Sequence, residues 1–242
     1  MSILQLKDYN FAYPNSNILT LSDIDLSVEE GEFVIICGRS GSGKTTLLRQ
    51  LKTVLAPYGQ KSGEIFFKGK RLEELSEREQ AKSIGFVFQD PDEQIVTDKV
   101  WHELAFGLES VCEDKSVMKR RVAETASFFN LSGLFDRDCH TLSGGQKQLL
   151  NLASVIAMGC DAVILDEPFS RLDAIAGAEF AANLNRINKD LGITVIISEH
   201  CTDEIMSFAD RLVIMENGRI IADSSPEEVI KKMKNNSVSL AF

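Results

Sequence analysis

At 242 residues, 44% of them hydrophobic, the chain is long enough for one large domain or for a core with an inserted lobe, and it can bury a sizeable apolar interior. A formal net charge of −10 argues against a broad nucleic-acid surface, where Lys and Arg must neutralise phosphates. No run approaches the roughly 18 apolar residues of a membrane-spanning helix, and residues 1–10 have no basic-then-apolar leader, so a cytosolic chain is expected.

In chain order, residues 1–30 and 60–75, the second stretch including GEIFFKGKRL, predict a small antiparallel β-subdomain at the entrance to the core. Continuous apolar runs predict buried parallel strands at FVIIC (33–37), IGFVF (84–88), AVIL (162–165), TVIIS (194–198) and RLVIM (211–215). Helical periodicity lies between them. Leu47, Leu48, Leu51, Val54 and Leu55 share one helical face, as do Phe180, Leu184, Ile187 and Leu191. Residues 90–159 read as a helical lobe, with Met118, Val122, Thr125 and Phe129 on one face, inserted into a core of residues 31–59, 76–89 and 160–225. Residues 226–242 read as a helix with a short tail. This strand-helix alternation places the chain in the α/β class with a mainly parallel sheet.

Five cysteines, Cys37, Cys112, Cys139, Cys160 and Cys201, form an odd set without a CxxC pair, so neither a disulfide framework nor a zinc site is expected. They read as reduced thiols used as small hydrophobes, with Cys37, beside a glycine-rich loop, as the arguable exception.

That loop is Gly38-Arg39-Ser40-Gly41-Ser42-Gly43-Lys44-Thr45, set between a predicted strand and a predicted helix, which is the context a phosphate loop requires. Its glycines let backbone N–H groups turn inward around phosphates, and the positive end of the helix adds attraction. Lys44 is placed to reach the β- and γ-phosphates, and Thr45 to offer its hydroxyl to Mg²⁺. The apolar run AVIL ends in Asp166 and Glu167. Adjacent strand residues point to opposite sides, so the two are expected to differ in role: Asp166 for Mg²⁺, through water, and Glu167 for polarising the attacking water. Gln89, at the end of another core strand, could touch Mg²⁺ or the water while sensing the lobe. His200 ends ITVIISEH, where an imidazole beside a γ-phosphate would explain its placement.

The stretch HTLSGGQKQLL (140–150) raises a second glycine turn, Gly144 and Gly145, at an expected helix start with no Lys-Ser or Lys-Thr pair behind it. Such a turn can hold an anion that another surface has already captured, but lacks the lysine to hold a nucleotide alone. With LSGGQ (142–146) in place, the motifs and their order resemble the ATP-binding-cassette (ABC) ATPases over essentially the whole chain.

The resemblance implies a phosphate-loop NTPase core with an N-terminal antiparallel β-subdomain and an inserted helical subdomain. It also implies ATP and Mg²⁺ as ligands and head-to-tail packing of two cassettes, identical or related. Each ATP would lie between one phosphate loop and the partner's Ser143, Gly144, Gly145 and Gln146. Position by position, Tyr13 matches the aromatic that stacks on adenine, and Gly38, Arg39, Ser40, Gly41, Ser42, Gly43, Lys44, Thr45 and Thr46 match the ATP-binding loop. Thr45, Gln89 and Asp166 match the metal set, Glu167 the catalytic glutamate, Gln89 the lid glutamine and His200 the switch histidine. Asp173, in SRLD (170–173), matches the key residue of the loop that crosses the dimer interface. Arg171, Leu149 and Ala174 depart from the usual small residue, arginine and proline, which bears on interface detail and dimer symmetry.

The segment FQDPDEQIVTDKVWHELAFGLES (88–110) resembles the energy-coupling-factor and cobalt-type import cassettes, and ISEH (197–200) fits that group. This implies a peripheral subunit on the cytoplasmic face of the membrane that powers import of a vitamin, a vitamin precursor or a metal ion. Transmembrane subunits would dock in the groove that the segment forms. Val100, Leu104 and Leu108 read as a core stripe, Trp101 and Phe106 as candidates to touch that partner, and His102 and His140 as structural. An exporter cassette and a soluble ABC ATPase without a membrane partner remain the alternatives.

Overall fold

The computed structural model describes residues 1–16, 18–111, 114–199 and 203–235. The strands are β1 (Ser2–Ala12), β2 (Leu21–Glu29), β3 (Phe33–Cys37), β4 (Gln60–Phe67), β5 (Lys70–Arg71), β6 (Ile84–Val87), β7 (Ala162–Asp166), β8 (Thr194–Ser198), β9 (Arg211–Glu216) and β10 (Arg219–Ser224). The helices are α1 (Lys44–Gln50), α2 (Glu77–Ser83), α3 (Val100–Ser110), α4 (Lys115–Phe128), α5 (Gly144–Ala157), α6 (Ala174–Leu191), α7 (Asp203–Met206) and α8 (Pro226–Asn235).

The strands form two sheets. A four-stranded antiparallel sheet has the order β2-β1-β4-β5, and a six-stranded sheet the order β10-β9-β3-β8-β7-β6, parallel except for β10. Strands β3, β7 and β8 are buried along their whole length, because both faces of the large sheet are covered. Alternate residues serve different cores. Phe33, Ile35, Val163, Leu165, Val195 and Ile197 face the helical side with Leu104, Leu150, Phe180 and Leu184. Val34, Ile36, Ile164 and Ile196 face α1 and the antiparallel sheet through Leu47, Leu48, Leu6 and Phe11. Gly85 in β6 permits the close approach of α5, since a Cβ there would sit 2.2 Å from Val155 Cγ1.

Because β3, β6, β7 and β8 run parallel, their carboxyl ends emerge along one edge, where a ligand site of an open α/β sheet is expected. The Asn217-Gly218 turn between β9 and β10 braces that edge. Its residues have φ of 48° and 77°, as a tight hairpin requires, and Gly218 donates to Ser42 O while its own carbonyl accepts from Ser22 N.

Several sequence readings need correction. The helix expected through Leu55 stops at Gln50, and Val54 lies 53% exposed in a short 3-10 turn over residues 53–55. Lys52 breaks it by turning extended, with Nζ donating to Ile84 O (2.8 Å) and Thr53 N donating to Gln80 Oε1 (3.0 Å). Leu191, expected on the buried face of α6, is 49% exposed at the helix end, whereas Phe180, Leu184 and Ile187 are buried. Cys139 and Cys160 are buried free thiols, and burial pushes their pKa values to about 11 and about 12, so they stay protonated. Cys37, however, is disulfide-bonded; counting cysteines and looking for CxxC does not report on residues that the fold brings together from afar. Cys112 and Cys201 lie outside the described residues.

In α3, Val100, Leu104 and Leu108 are fully buried, while Trp101 and Phe106 are 39% and 45% exposed. The Glu103 carboxylate accepts from Val96 N (3.2 Å) and Thr97 N (2.9 Å), fixing the chain that enters the helix. Leu104→Ala is therefore expected to cost about 2–5 kcal/mol in denaturant unfolding. Trp101→Ala is expected to cost at most about 1 kcal/mol.

Candidate active site

The loop after Cys37 is shaped by what glycine permits. A Cβ on Gly38 would sit 2.3 Å from Met215 O, and Gly41 and Gly43 have φ of 79° and 103°, where other residues are strained. Ser42 N donates to Arg39 O (3.0 Å), closing the loop on itself ahead of α1, whose first amides have no intrahelical acceptors. Lys44 is 4% exposed; its Nζ donates to Gly38 O (2.8 Å) and Arg39 O (3.5 Å) and lies 3.4 Å from Glu167 Oε1. Ser42 Oγ is buried with no hydrogen-bond partner among the described residues. A buried cation, a helix N-terminus and an unused hydroxyl suit a polyphosphate.

Asp166 ends β7 at 3% exposure, and its Oδ1 accepts from Thr45 Oγ1 (2.9 Å) and Ser198 Oγ (2.8 Å). Burial pushes this carboxyl up from the usual range; the Ser198 and Thr45 hydroxyls oppose the shift, and the Glu167 charge adds to it. Glu167 lies beyond the end of β7 at Asp166, so strand alternation does not set its direction. Its φ of 43° reverses the chain, with its N–H donating to Ser198 O (3.0 Å) and Ser198 Oγ (3.1 Å). The carboxylate thereby reaches Lys44 on one oxygen and Gln89 Nε2 (3.2 Å) on the other. The two acids differ because one is buried against hydroxyls and the other is half-buried between a cation and an amide.

Gln89 is exposed, and its amide is turned to Glu167. Among the described residues no group of three or more His, Cys, Asp or Glu side chains could hold a metal ion. Thr45 and Asp166 offer one hydroxyl and one carboxylate, an all-oxygen pair that suits Mg²⁺, which keeps several waters and takes phosphate oxygens. Tyr13 stands at the rim, its ring 42% exposed and packed edge-on to Phe11, its hydroxyl 3.1 Å from Thr46 Oγ1. His200 lies outside the described residues.

The second glycine turn is elsewhere. Ser143 caps α5: its Oγ accepts from Gln146 N (3.3 Å) while Gln146 Oε1 accepts from Ser143 N (3.0 Å). The first amides of α5, those of Gly144 and Gly145, have no intrahelical acceptors. Gly145 lets α5 approach α6, since a Cβ there would meet Ala176 Cβ at 2.8 Å. Among the described residues no hydrogen bond or ion pair links 143–146 to 38–46. Asp173 caps α6, its Oδ1 accepting from Ala176 N (2.8 Å).

Polar contacts that the sequence did not disclose connect these parts. Arg171 pairs with Asp90 (2.7 Å) and Lys147 with Asp92 (2.6 Å), while Gln148 donates to Phe88 O (3.2 Å) and Asn151 to Pro91 O (3.0 Å). The segment after Gln89 is thus held by the crossing loop and by α5. Sequence reasoning also passed over Ser198, whose only signal is a hydroxyl ending an otherwise apolar run.

The sequence model of the ABC transporter family matches residues 21–170. An ABC transporter ATP-binding protein of Bacillus cereus is 45% identical over 95% of this chain, which spans 41% of that protein's length. One of Pyrococcus abyssi is 36% identical over 97% of this chain and 84% of its own length. Among solved structures, cbiO1 of Clostridium perfringens, part of the ABC transporter complex cbiONQ, aligns with a TM-score of 0.86 and 32% identity over 100% of this chain and 96% of its own. The cassette MJ0796, a dimer in a post-hydrolysis state bound to ADP and Pi, aligns with a TM-score of 0.78 and 25% identity over 92% of this chain and 98% of its own. With a phosphate loop facing Asp166 and Glu167, a capped LSGGQ helix and a family match over more than half its length, the chain belongs to the ABC transporter family as an ATP-binding cassette.

Proposed function

We propose that this cassette hydrolyses ATP to power import of a micronutrient, a vitamin, a vitamin precursor or a metal ion, as the peripheral subunit of a transporter on the cytoplasmic face of the membrane. The observation that carries the chemistry is Glu167, placed between Lys44 and Gln89 at the mouth of the phosphate loop. Import is supported by the likeness to cbiO1 and by the segment 88–110.

In this reading Gly38 to Thr46 wrap the phosphates, Lys44 binds the β- and γ-phosphate oxygens, and Tyr13 stacks on adenine. Thr45 and Asp166, with Gln89 nearby, hold Mg²⁺, which neutralises charge on the phosphates when bound. Glu167 takes a proton from the attacking water as its oxygen bonds to the γ-phosphorus. The bond to the β–γ bridging oxygen breaks, leaving ADP and inorganic phosphate. Gln89 orients that water against Glu167.

Ser143, Gly144, Gly145 and Gln146 serve the ATP of a second cassette, since a helix N-terminus without a phosphate-loop lysine suits an anion that another surface has already captured. Asp173 lines the crossing between the two. ATP then joins the cassettes, and loss of the γ-phosphate releases them. Residues 90–159 move as a helical subdomain against the core of 31–59, 76–89 and 160–225, and transmembrane subunits engage it at Trp101 and Phe106.

Glu167→Gln is expected to keep ATP binding, lower phosphate release by about 10²–10⁴-fold and accumulate a dimer in gel filtration with ATP; parental turnover would remove Glu167 from its role. Trp101→Ala is expected to reduce recovery of membrane subunits with the tagged cassette while its ATP binding is unchanged. Equal recovery would place the partner elsewhere.

A further inference from the structure

The end of β8 does more than complete the sheet. Ser198 is fully buried, and its hydroxyl is used in both directions: it donates to Asp166 Oδ1 (2.8 Å) and accepts from Glu167 N (3.1 Å). Glu167 needs that support, because its φ of 43° is a left-handed conformation that costs an L-residue about 1–2 kcal/mol. The Ser198 carbonyl accepts from the same amide (3.0 Å), so one residue receives the N–H twice. The next residue extends the clamp: the Glu199 carboxylate, 5% exposed, accepts from Phe169 N (2.9 Å) on the far side of the reversal. Residues 166–169 are thus gripped at both ends by consecutive residues of one strand end.

We propose that Ser198 is a positioning residue for ATP hydrolysis, its hydroxyl locking the Asp166–Glu167 reversal so that the Glu167 carboxylate stays at the phosphate-loop mouth. The proposal rests on the reading of Glu167 as the proton acceptor. Among the described residues no other buried group makes both of these bonds. Thr45 Oγ1 reaches Asp166 but donates no bond to Glu167, and the Ser198 carbonyl holds the Glu167 amide without touching Asp166. Among the described residues only the hydroxyl bonds to both acids. Its removal leaves the backbone bond and the Thr45 bond in place, so the fold survives while the carboxylate gains freedom, and a displacement on the order of 1 Å at a reacting group costs up to about 100-fold in rate.

The test is steady-state ATP hydrolysis by the purified full chain, with thermal unfolding as a check on folding. Ser198→Ala is expected to lower kcat about 10- to 100-fold with KM for ATP within about 3-fold, and Ser198→Thr, which keeps the hydroxyl, to stay within about 3-fold of the parent. In a Glu167→Gln background, Ser198→Ala is expected to cause no further loss, because its effect passes through Glu167. Parental turnover of Ser198→Ala beside an inactive Glu167→Gln would overturn the proposal, as would a raised KM with kcat unchanged. Full activity of Glu167→Gln would overturn the underlying reading and this proposal with it.

Discussion

The site depends on the register of three parallel strands. Asp166 on β7 lies opposite Ser198 on β8, and Ser198 opposite Ile36 on β3, two residues before the phosphate loop begins at Gly38. That alignment brings the Thr45 hydroxyl, the Asp166 carboxylate and the Ser198 hydroxyl to one oxygen atom. A slip of one residue would turn Asp166 to the other face of the sheet and dissolve the arrangement. The apolar filling of both faces specifies the register: odd and even residues of each strand pack into different cores, so neither face tolerates the other's set.

Electrostatics at the mouth follow from burial. Lys44 is almost wholly enclosed, and its ammonium is satisfied by the Gly38 carbonyl and the Glu167 carboxylate. A phosphate offers such a cation more charge than either, so in the proposed reading nucleotide binding would draw Lys44 from Glu167 and leave that carboxylate for water. The surrounding segments are tied to the same region. Arg171, an unusual residue in the crossing loop, holds Asp90 beside Gln89, and α5 holds Asp92, Phe88 and Pro91. The glutamine segment, the crossing loop and the signature helix are therefore linked by direct contacts rather than by proximity in sequence.

Much of this was legible in the residues. The continuous runs FVIIC, AVIL and TVIIS identify strands buried on both faces, and the eight residues from Gly38 to Thr45 identify the loop, because both signals are local. Other features were not. The left-handed turn at Glu167, the two-way use of the Ser198 hydroxyl and the Arg171–Asp90 pair arise between segments far apart in sequence. The early end of α1 has the same origin: Lys52 and Thr53 find partners on Ile84 and Gln80, which helical periodicity does not reveal. Among the described residues no helix is long and apolar enough to cross a membrane.

The LSGGQ helix is capped by Ser143 and Gln146, and the proposed reading completes each ATP site with a second cassette. The most direct test is the rate of ATP hydrolysis per molecule of the purified chain across a hundredfold range of protein concentration. A composite site predicts a per-molecule rate that climbs with concentration and levels off as dimers saturate. A constant rate over the whole range would mean that one chain alone completes the site, and would contradict the account.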